Sequence, residues 1–213
     1  MNTLSITLTI ACLALTAALI LAIHRGSALA TAVFKSGASV AFLATAWSLG
    51  ALASPMGRLM LLALGLSVVG DLCLLSRHSR WFLAGLGVFL LAHLAFAAAF
   101  ATGAWSVAGT GAGAVGMLVV GLVSLRWMWP HLHGVMRPAV VAYIVAIGVM
   151  CALAIGHSAA SGHWLIAIGA LLFAASDLSV ARQAFIAPSL VNQAWGLPVY
   201  YAAQLLLAWS VPR

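Results

Sequence analysis

Apolar runs of about twenty residues, separated by short breaks rich in basic residues, proline and glycine, cover almost the whole chain. Backbone polar groups inside a bilayer must bond within their own segment, and a helix of about 20 residues crosses the hydrocarbon. The runs therefore predict an all-α, polytopic membrane helix bundle that forms a single domain over residues 1–213. We expect eight transmembrane helices, near residues 4–23, 33–53, 57–75, 81–101, 106–126, 138–157, 163–182 and 192–211.

The composition indicates lipid rather than water as the solvent. Of the 213 residues, 65% are hydrophobic and 5% are charged, which lies outside the range of soluble globular domains. A formal charge of +7 suggests nucleic acid in a soluble protein, but here the basic residues stand one or two at a time between apolar runs. We interpret them as topology signals and lipid-phosphate contacts, and we expect no nucleic-acid partner.

The three cysteines all fall within apolar runs and lack CxxC spacing. This pattern favours neither a disulfide framework nor a zinc site. Two aspartates and one mid-span histidine could in principle hold zinc, but only one histidine is well placed. We therefore expect no metal and no cofactor.

Successive connections must lie on alternate sides of the membrane, so each basic residue can be assigned to one of the two sides. One side receives Arg25, Lys35, Arg77, Arg80, Arg126, Arg137 and Arg182, and the other receives Arg58 and Arg213. By the positive-inside rule both termini face outward, and the third and seventh helices run from outside to inside. The first run is too long for the apolar core of a signal peptide, so we expect a retained span in an integral protein of the bacterial inner membrane.

Two weaker patterns concern helix packing. Gly109-x-x-x-Gly113 on the fifth helix is the small-residue spacing that lets membrane helices approach closely. Gly-Asp-Leu at 70–72 and Ser-Asp-Leu at 176–178 stand four helices apart, as do Lys-Ser at 35–36 and Arg-Pro at 137–138. The second pattern predicts a faint repeat of two parallel four-helix halves.

The only two acidic residues, Asp71 and Asp177, lie inside apolar runs, each about one turn from the inner end of its helix. A carboxylate within the bilayer costs about 2.5–3.5 kcal/mol on insertion scales, so an intramembrane acid is a functional candidate by default. A structural alternative is that Asp71 pairs with Arg77 or Arg80, and Asp177 with Arg182, to lock the helix ends. The matched depth and direction of the two helices favour a shared functional role.

Two serines and a histidine accompany these acids. Ser67 precedes Asp71 by one helical turn and is expected to hydrogen-bond its carboxyl group, whereas Ser176 adjoins Asp177 and points away from it. Neither serine lies in a G-x-S-x-G context, so a serine hydrolase is disfavoured. His93 is the one histidine clearly away from an interface, and it either bridges helices or belongs to the site.

Further polar groups lie within the second, sixth and eighth helices. Lys35 is either a topology marker that snorkels to the interface or a cation that meets a carboxylate or a lipid phosphate. Tyr143 adds a polar group to the sixth helix. Tyr200 and Gln204 share a face of the eighth helix with Tyr201 beside them, and Gln204 is deep enough to need a buried partner.

Several of these residues lie within stretches characteristic of a known family. The stretches are GDLCLL at 70–75, FLAGLGVFLLAHLAFAAAF at 82–100, AYIVAIGVM at 142–150, GALLFAASDLSVARQAF at 169–185 and YYAAQLLLA at 200–208. Together they resemble the YhhN family of integral membrane proteins, whose animal members are lysoplasmalogenases. The resemblance covers the second to the eighth helix.

The resemblance implies a membrane enzyme that hydrolyses the vinyl ether bond of lysoplasmalogens, releasing a fatty aldehyde and a glycerophospho-alcohol. By this resemblance, the family's two acids correspond to Asp71 and Asp177, and its lysine corresponds to Lys35. Its histidine corresponds to His93 and its YxxAQ element to Tyr200–Gln204. The sequence departs from the family pattern at Ser36, Phe96 and Val180, and we expect these changes to affect substrate shape more than chemistry.

For this reaction we expect acid–base catalysis by the two aspartates. Protonation of the vinyl ether carbon gives an oxocarbenium ion that water captures, which resembles the chemistry of glycosidases. Desolvation and repulsion between two carboxyls keep one of them protonated near neutral pH, but the residues do not say which. Lys35 is expected to bind the substrate phosphate or to tune a carboxyl, while His93, Tyr200, Tyr201 and Gln204 orient water or substrate.

The lysophospholipid substrate is expected to enter sideways from the inner leaflet, because the acids lie at that depth. Two alternatives use the same residues. One is a proton-coupled transporter in which the aspartates relay protons, and the other is a non-catalytic lipid-binding protein. Against transport, we find no span with a Gly/Pro interruption at mid-membrane.

Overall fold

The computed structural model describes residues 3–76 and 78–211, which fold into eight α-helices joined by short connections. These are α1 (Thr3–His24), α2 (Ala28–Ser48), α3 (Pro55–Cys73), α4 (Ser79–Ala101), α5 (Val107–Met128), α6 (Met136–Ser161), α7 (Trp164–Ala181) and α8 (Leu190–Trp209). A π-helical turn, Arg182–Ile186, extends α7. The predicted all-α bundle of eight helices is confirmed. Arg77 and Arg213, two of the predicted topology signals, lie outside the described residues.

Seven of the described helices, α1 to α7, are long and apolar enough to cross a membrane. Helix α8 has 20 residues but is not among them, because polar side chains lower its hydropathy. Those side chains are Asn192, Gln193, Tyr200, Tyr201 and Gln204. The fold is therefore an integral membrane bundle in which the last helix is the most polar.

Helix boundaries differ from the prediction where short-range capping decides them. Helix α2 begins at Ala28 rather than near residue 33, because the Ser27 side chain accepts a hydrogen bond from the backbone N–H of Ala30. It ends at Ser48 rather than near residue 53, and Gly50 follows with a φ of 87°. Pro138 does not mark a break: it lies in the first turn of α6, where its missing N–H costs no helical hydrogen bond.

None of the described helices is broken at its centre, as expected, although α8 contains a glycine and a proline. Pro198 lies inside α8, two residues after Gly196. The helix nevertheless runs without interruption from Leu190 to Trp209. The proline therefore does not produce the broken helix that transporters use to form an ion site.

The connections α1–α2, α3–α4, α5–α6 and α7–α8 lie at one end of the bundle, since neighbouring helices run antiparallel. The Ser5 and Ser48 hydroxyl oxygens are 3.0 Å apart, which joins the start of α1 to the end of α2. The backbone N–H of Ser106 donates to the Gly156 carbonyl at 2.9 Å, which joins the start of α5 to the last turns of α6. We call the end with these four connections the basic end. Its arginines are Arg25, Arg80, Arg126, Arg137 and Arg182.

The packing of the described helices repeats after four helices. Helix α1 packs along α2 as α5 packs along α6, and α3 packs along α4 as α7 packs along α8. Likewise, α2 meets α3 as α6 meets α7, and α8 meets α2 as α4 meets α6. This arrangement agrees with the predicted pair of parallel four-helix halves.

One packing contact has no counterpart in the second half. Helix α1 packs along α8, and the Trp209 indole N–H donates to the Thr9 hydroxyl at 2.9 Å. The equivalent helices, α5 and α4, do not pack along each other within the described residues. Helix α5 therefore rests against α6 and leaves a gap beside α4.

The glycines of α5 explain why it holds to α6 closely. A Cβ at Gly113 would lie 3.0 Å from the Ala152 backbone Cα, and a Cβ at Gly109 would lie 2.9 Å from the Ala159 Cβ. A Cβ at Gly111, on another face of the helix, would meet no atom within 4 Å. The predicted packing role of Gly109 and Gly113 is confirmed.

We predict that Gly113→Leu destabilises the protein while Gly111→Leu leaves it unchanged. The first substitution forces α5 away from the α6 backbone and costs about 1–3 kcal/mol, whereas the second only adds an apolar side chain to an open face. Thermal denaturation in detergent measures both variants against wild type. Equal melting temperatures for the two variants would show that the glycines do not set this contact.

Candidate active site

Asp71, two residues before the end of α3, is buried and has three partners. Its Oδ1 lies 3.4 Å from the Lys35 ammonium, and its Oδ2 accepts hydrogen bonds from the hydroxyls of Ser39 and Tyr200, each at 2.7 Å. The Asp71 and Lys35 side chains are 4% and 12% exposed. A cation and two hydroxyl donors therefore surround this carboxyl group.

Ser39 is a site residue that the sequence analysis missed. Its hydroxyl also lies 3.0 Å from the Lys35 carbonyl and 3.2 Å from the Tyr201 hydroxyl. Tyr201 in turn donates to the Lys35 carbonyl at 3.1 Å. The available signal was spacing, since Ser39 follows Lys35 by one helical turn and so shares its face of α2.

Asp177, on α7, has a different set of partners. Its Oδ2 lies 3.2 Å from the His93 Nε2 atom of α4, and the side chains are 14% and 0% exposed. The Tyr143 phenol of α6 faces the same carboxyl group closely enough to interact with it electrostatically. The His93 ring also packs edge-on against the Tyr143 ring, with centroids 5.1 Å apart.

The hydrogen position on His93 follows from its other nitrogen. Nδ1 lies 2.6 Å from the Phe89 carbonyl oxygen, and because a carbonyl oxygen can only accept, Nδ1 carries a hydrogen. The neutral ring then presents a lone pair at Nε2 toward Asp177. The 3.2 Å contact lacks the angle of a hydrogen bond donated by the ring, which fits this tautomer.

An aromatic partition, formed by Phe89, Phe173 and Tyr200, separates the two acids. Its ring centroids are 5.6–6.1 Å apart, and the His93 ring stacks on Phe173 at 4.4 Å. Gly70 makes room for it, since a Cβ there would lie 2.6 Å from the Phe89 ring. Within the described residues, no hydrogen bond or ion pair joins the two acids. Both lie in electrostatic range of the Tyr200 phenol.

The two clusters follow the repeat of the fold. Asp71 is on the third helix of the first half and meets Lys35 of α2 and Tyr200 of α8. Asp177 is on the third helix of the second half and meets Tyr143 of α6 and His93 of α4. Each acid therefore contacts the second helix of its own half and the fourth helix of the other half.

The structure shows which side chains pair with the two acids near the helix ends. Asp71 pairs with Lys35, whereas the Arg80 side chain is exposed, and Asp177 pairs with His93. Arg182 instead donates to the Asn192 side chain. The predicted arginine partners are therefore not used among the described residues.

Three predicted site residues form no hydrogen bond with either acid in the described parts of the chain. Ser67 does not hydrogen-bond Asp71 but donates to the Ala63 carbonyl of its own helix at 3.0 Å. Ser176 likewise donates to the Phe173 carbonyl at 2.7 Å. Gln204 is fully buried, but neither of its amide atoms has a hydrogen-bond partner within residues 3–76 and 78–211.

Only one of the two acids, Asp177, lines the cavity between α4, α5, α6 and α7. This cavity has a volume of about 260 Å³ and lies beside the gap that α5 leaves. The polar side chains of its wall are Ser124, Tyr143 and Asp177, and the rest of the wall is mainly apolar. Val180, one of the departures from the family pattern, also lines it. Asp71 and Lys35 are not among its lining residues.

Metal binding finds little support in the side-chain geometry. Across the described parts of the chain, no three histidine, cysteine or acidic side chains come together as a metal site would require. The Asp177 and His93 pair supplies only two such groups.

Comparison with known proteins places these clusters in context. Residues 1–211 match the model of the YhhN family. The chain is 37% identical over 193 residues to a lysoplasmalogenase of Mycobacterium bovis, a match that covers 85% of this chain and 70% of that protein. It is 30% identical over 172 residues to the lysoplasmalogenase TMEM86A of Bos taurus, covering 75% and 67% of the two chains.

The human lysoplasmalogenase TMEM86A is also 30% identical, over 167 residues, with the same coverage of both chains. No solved structure matches the chain. The match to the family model spans both acidic clusters and the cavity. The chain therefore belongs to the YhhN family, as its motifs predicted.

Proposed function

We propose that the protein is a lysoplasmalogenase, a membrane-embedded hydrolase that cleaves the vinyl ether bond of lysoplasmalogens to a fatty aldehyde and a glycerophospho-alcohol. The observation that carries this proposal is an acid at the wall of an apolar cavity, Asp177, whose carboxyl group contacts the buried His93 imidazole behind it. An apolar chain fits such a cavity, and a proton donor at its wall suits a substrate that reacts by protonation. The names of the curated relatives supply the substrate class.

The size and position of the cavity support binding from the bilayer. At about 260 Å³ it lies just below the roughly 300–1,000 Å³ of pockets that enclose a drug-sized ligand, so a single-chain lipid keeps part of its length in the membrane. Its wall includes Phe82 and Leu86 of α4 and Met128 of α5, the helices that do not pack together. The lipid enters between them, at the basic end. By the positive-inside rule this end faces the cytoplasm of a bacterial inner membrane, with both termini outward.

Asp177 carries the proton for the reaction. The His93 lone pair and a carboxylate oxygen only 3.2 Å apart would repel each other, so the pair holds one proton between them. His93 is fully buried and stacked on Phe173, where a cation would be desolvated, while Asp177 keeps 14% exposure toward the cavity. The proton therefore resides on Asp177, next to the bound chain, and Tyr143 and His93 position the carboxyl group.

The reaction then needs only groups that the cavity supplies, together with water. The Asp177 proton adds to the vinyl carbon remote from the ether oxygen, and the electrons of the double bond form the new C–H bond. The resulting oxocarbenium ion faces the Asp177 carboxylate, which stabilises its charge. Water adds to the cationic carbon and returns a proton to the Asp177 and His93 pair. The hemiacetal collapses with cleavage of the C–O bond, giving aldehyde and alcohol.

Asp71 acts in this account as a positioning residue rather than as a second contact to the substrate. Lys35 neutralises it, and through Tyr200 it holds one side of the aromatic partition against which His93 packs. Lys35 thus tunes a carboxyl group. The buried amide of Gln204, without a protein partner among the described residues, provides a site for a water molecule.

The proposal is tested by supplying the purified full-length protein in detergent with a lysoplasmalogen and following aldehyde release. We expect aldehyde and glycerophospho-alcohol in equal amounts. Absence of aldehyde together with proton-driven solute uptake in vesicles would support the transporter instead.

We predict that Asp177→Asn lowers kcat by about 10²–10⁴-fold, the usual contribution of a general acid. The protein should stay folded, because the amide keeps the size of the carboxyl group and removes a desolvated acid. Stopped assays of aldehyde release, with size-exclusion chromatography for folding, measure both quantities. Wild-type kcat in a folded Asp177→Asn variant would remove Asp177 from the mechanism.

Substitution of Asp71 is the matched comparison for Asp177→Asn. Asp71→Asn leaves Lys35 without its counter-ion, and breaking a buried pair costs about 3–5 kcal/mol, so the melting temperature should fall. Replacing both partners, as Lys35→Met with Asp71→Leu, should restore stability. Activity should be lower than in wild type, because Tyr200 loses the carboxylate that positions it, but higher than in Asp177→Asn. A double variant that is stable but as inactive as Asp177→Asn would place Asp71 in direct contact with the substrate.

We further predict that Ala175→Phe blocks the reaction by filling the cavity. Ala175 lines the cavity on α7, two residues before Asp177, and a phenyl ring there competes with the lipid chain. Aldehyde release from a long-chain substrate should fall at least about tenfold, within the effect that one misplaced group has on positioning. Ala98→Phe, on an exposed face of α4, is the control and should keep wild-type activity. Full activity in Ala175→Phe would mean that the chain binds elsewhere.

A further inference from the structure

Arg182 lies at the basic end of the bundle in an unusual backbone turn, beside the cavity but not among its lining residues. It opens the π-helical turn Arg182–Ile186, and Ala181 and Phe185 on either side of it in sequence both line the cavity. Arg182 follows Asp177 by five residues, which corresponds to about 7–8 Å along a helix axis. The glycerophosphate part of a single-chain lipid spans a similar distance. Extra residues of this π-helical kind occur frequently at functional sites.

A buried amide holds the Arg182 side chain in place. The guanidinium Nη1 donates to the side-chain oxygen of Asn192, which is fully buried. The amide nitrogen of Asn192 donates to the Gln183 side-chain oxygen at 3.0 Å and to the Ala187 carbonyl at 2.8 Å. These two bonds fix which way the amide points, so its oxygen faces the arginine. A residue that served only as a topology signal would not need such support.

Within residues 3–76 and 78–211, Arg182 has no counter-ion. The only acidic side chains of the protein are Asp71 and Asp177, and these are engaged with Lys35 and His93. Within the described residues Asn192 is the one hydrogen-bond acceptor for Arg182, which leaves most of its N–H donors available. An anion that neutralises this partly buried cation must come from outside the described residues.

We propose that Arg182 binds the phosphate of the lysophospholipid and so sets the depth at which the vinyl ether meets Asp177; this inference rests on the proposed function. A planar guanidinium binds phosphate oxygens through paired hydrogen bonds. Lys35 is a poorer phosphate ligand because Asp71 already neutralises it. The same chemistry would also accept a free phosphate ion, which the experiment distinguishes.

The experiment measures binding of two ligands that cannot be hydrolysed, a saturated 1-O-alkyl lysophospholipid and the phosphate-free 1-O-alkylglycerol of equal chain length. The full-length protein is used as wild type, Arg182→Gln and Arg182→Lys, with Arg80→Gln as the control. Arg80 is an exposed arginine at the same end of the bundle that does not line the cavity. Equilibrium titrations followed by tryptophan fluorescence give each Kd.

We expect Arg182→Gln to weaken lysophospholipid binding by about tenfold or more, the scale of one charge-assisted contact, and to leave alkylglycerol binding unchanged. Arg182→Lys should recover part of the loss, and Arg80→Gln should match wild type. Equal weakening of both ligands would assign Arg182 a structural role, and no weakening of either would remove it from the site.

Competition separates the two phosphate sources. Inorganic phosphate at millimolar concentration should not displace the lysophospholipid, because it lacks the chain that fills the cavity; complete displacement would make this a site for the free ion and overturn the proposal. Aldehyde release from a vinyl ether substrate is assayed in parallel. Absence of aldehyde would contradict the proposed function. The role of Arg182 in headgroup binding would still be tested separately, by the binding measurements on the Arg182 variants.

Discussion

Two carboxyl groups inside a lipid-embedded helix bundle need partners that neutralise or remove their charge, because no water is at hand to solvate them. The protein meets this need in two ways. Asp71 faces the Lys35 cation and two hydroxyl donors, so its charge is balanced within the fold. Asp177 faces the His93 imidazole and an apolar cavity, and in our account it keeps its proton. Asp71 thus forms an ion pair, whereas for Asp177 we propose the role of a reactive acid.

The repeated architecture explains how both arrangements arise in one chain. Each acid lies on the third helix of its half and contacts the second helix of that half and the fourth helix of the other. The halves differ at their first helices: α1 packs along α8, but α5 leaves α4 uncovered. The second half therefore has room for a cavity beside its acid. We assign a supporting role to the first half, whose first helix packs along α8, and substrate binding to the second half, which has the cavity.

The sequence alone predicted the bundle and the helix count and singled out both acids as candidates, because apolar length and isolated intramembrane charges are strong local signals. It left Lys35 open between a topology marker and a cation that meets a carboxylate or a lipid phosphate, and the structure pairs it with Asp71. The sequence could not pair His93 with Asp177, since these residues lie on helices from different halves and their contact depends on how the halves associate. Ser67 was expected beside Asp71, but its hydroxyl bonds its own helix, and Ser39 of another helix takes that place.

The cavity was equally beyond a sequence argument. It depends on a missing contact between α4 and α5, and absence of packing leaves no pattern of residues. The contact between Arg182 and Asn192 likewise depends on the π-helical turn. In that turn the Ala187 backbone N–H donates to the Arg182 carbonyl, and no local sequence motif predicts this hydrogen bond. Local periodicity predicts elements, whereas the site depends on how distant elements meet.

The division of labour between the acids is tested most directly by infrared difference spectroscopy of the carboxyl groups in the detergent-solubilised protein near neutral pH. A protonated carboxyl has a C=O stretching band that a carboxylate lacks. The account predicts such a band in wild type and in the Lys35→Met with Asp71→Leu variant, and its loss in Asp177→Asn. A band that persists in Asp177→Asn but disappears when Asp71 is replaced would contradict the account and reverse the two roles.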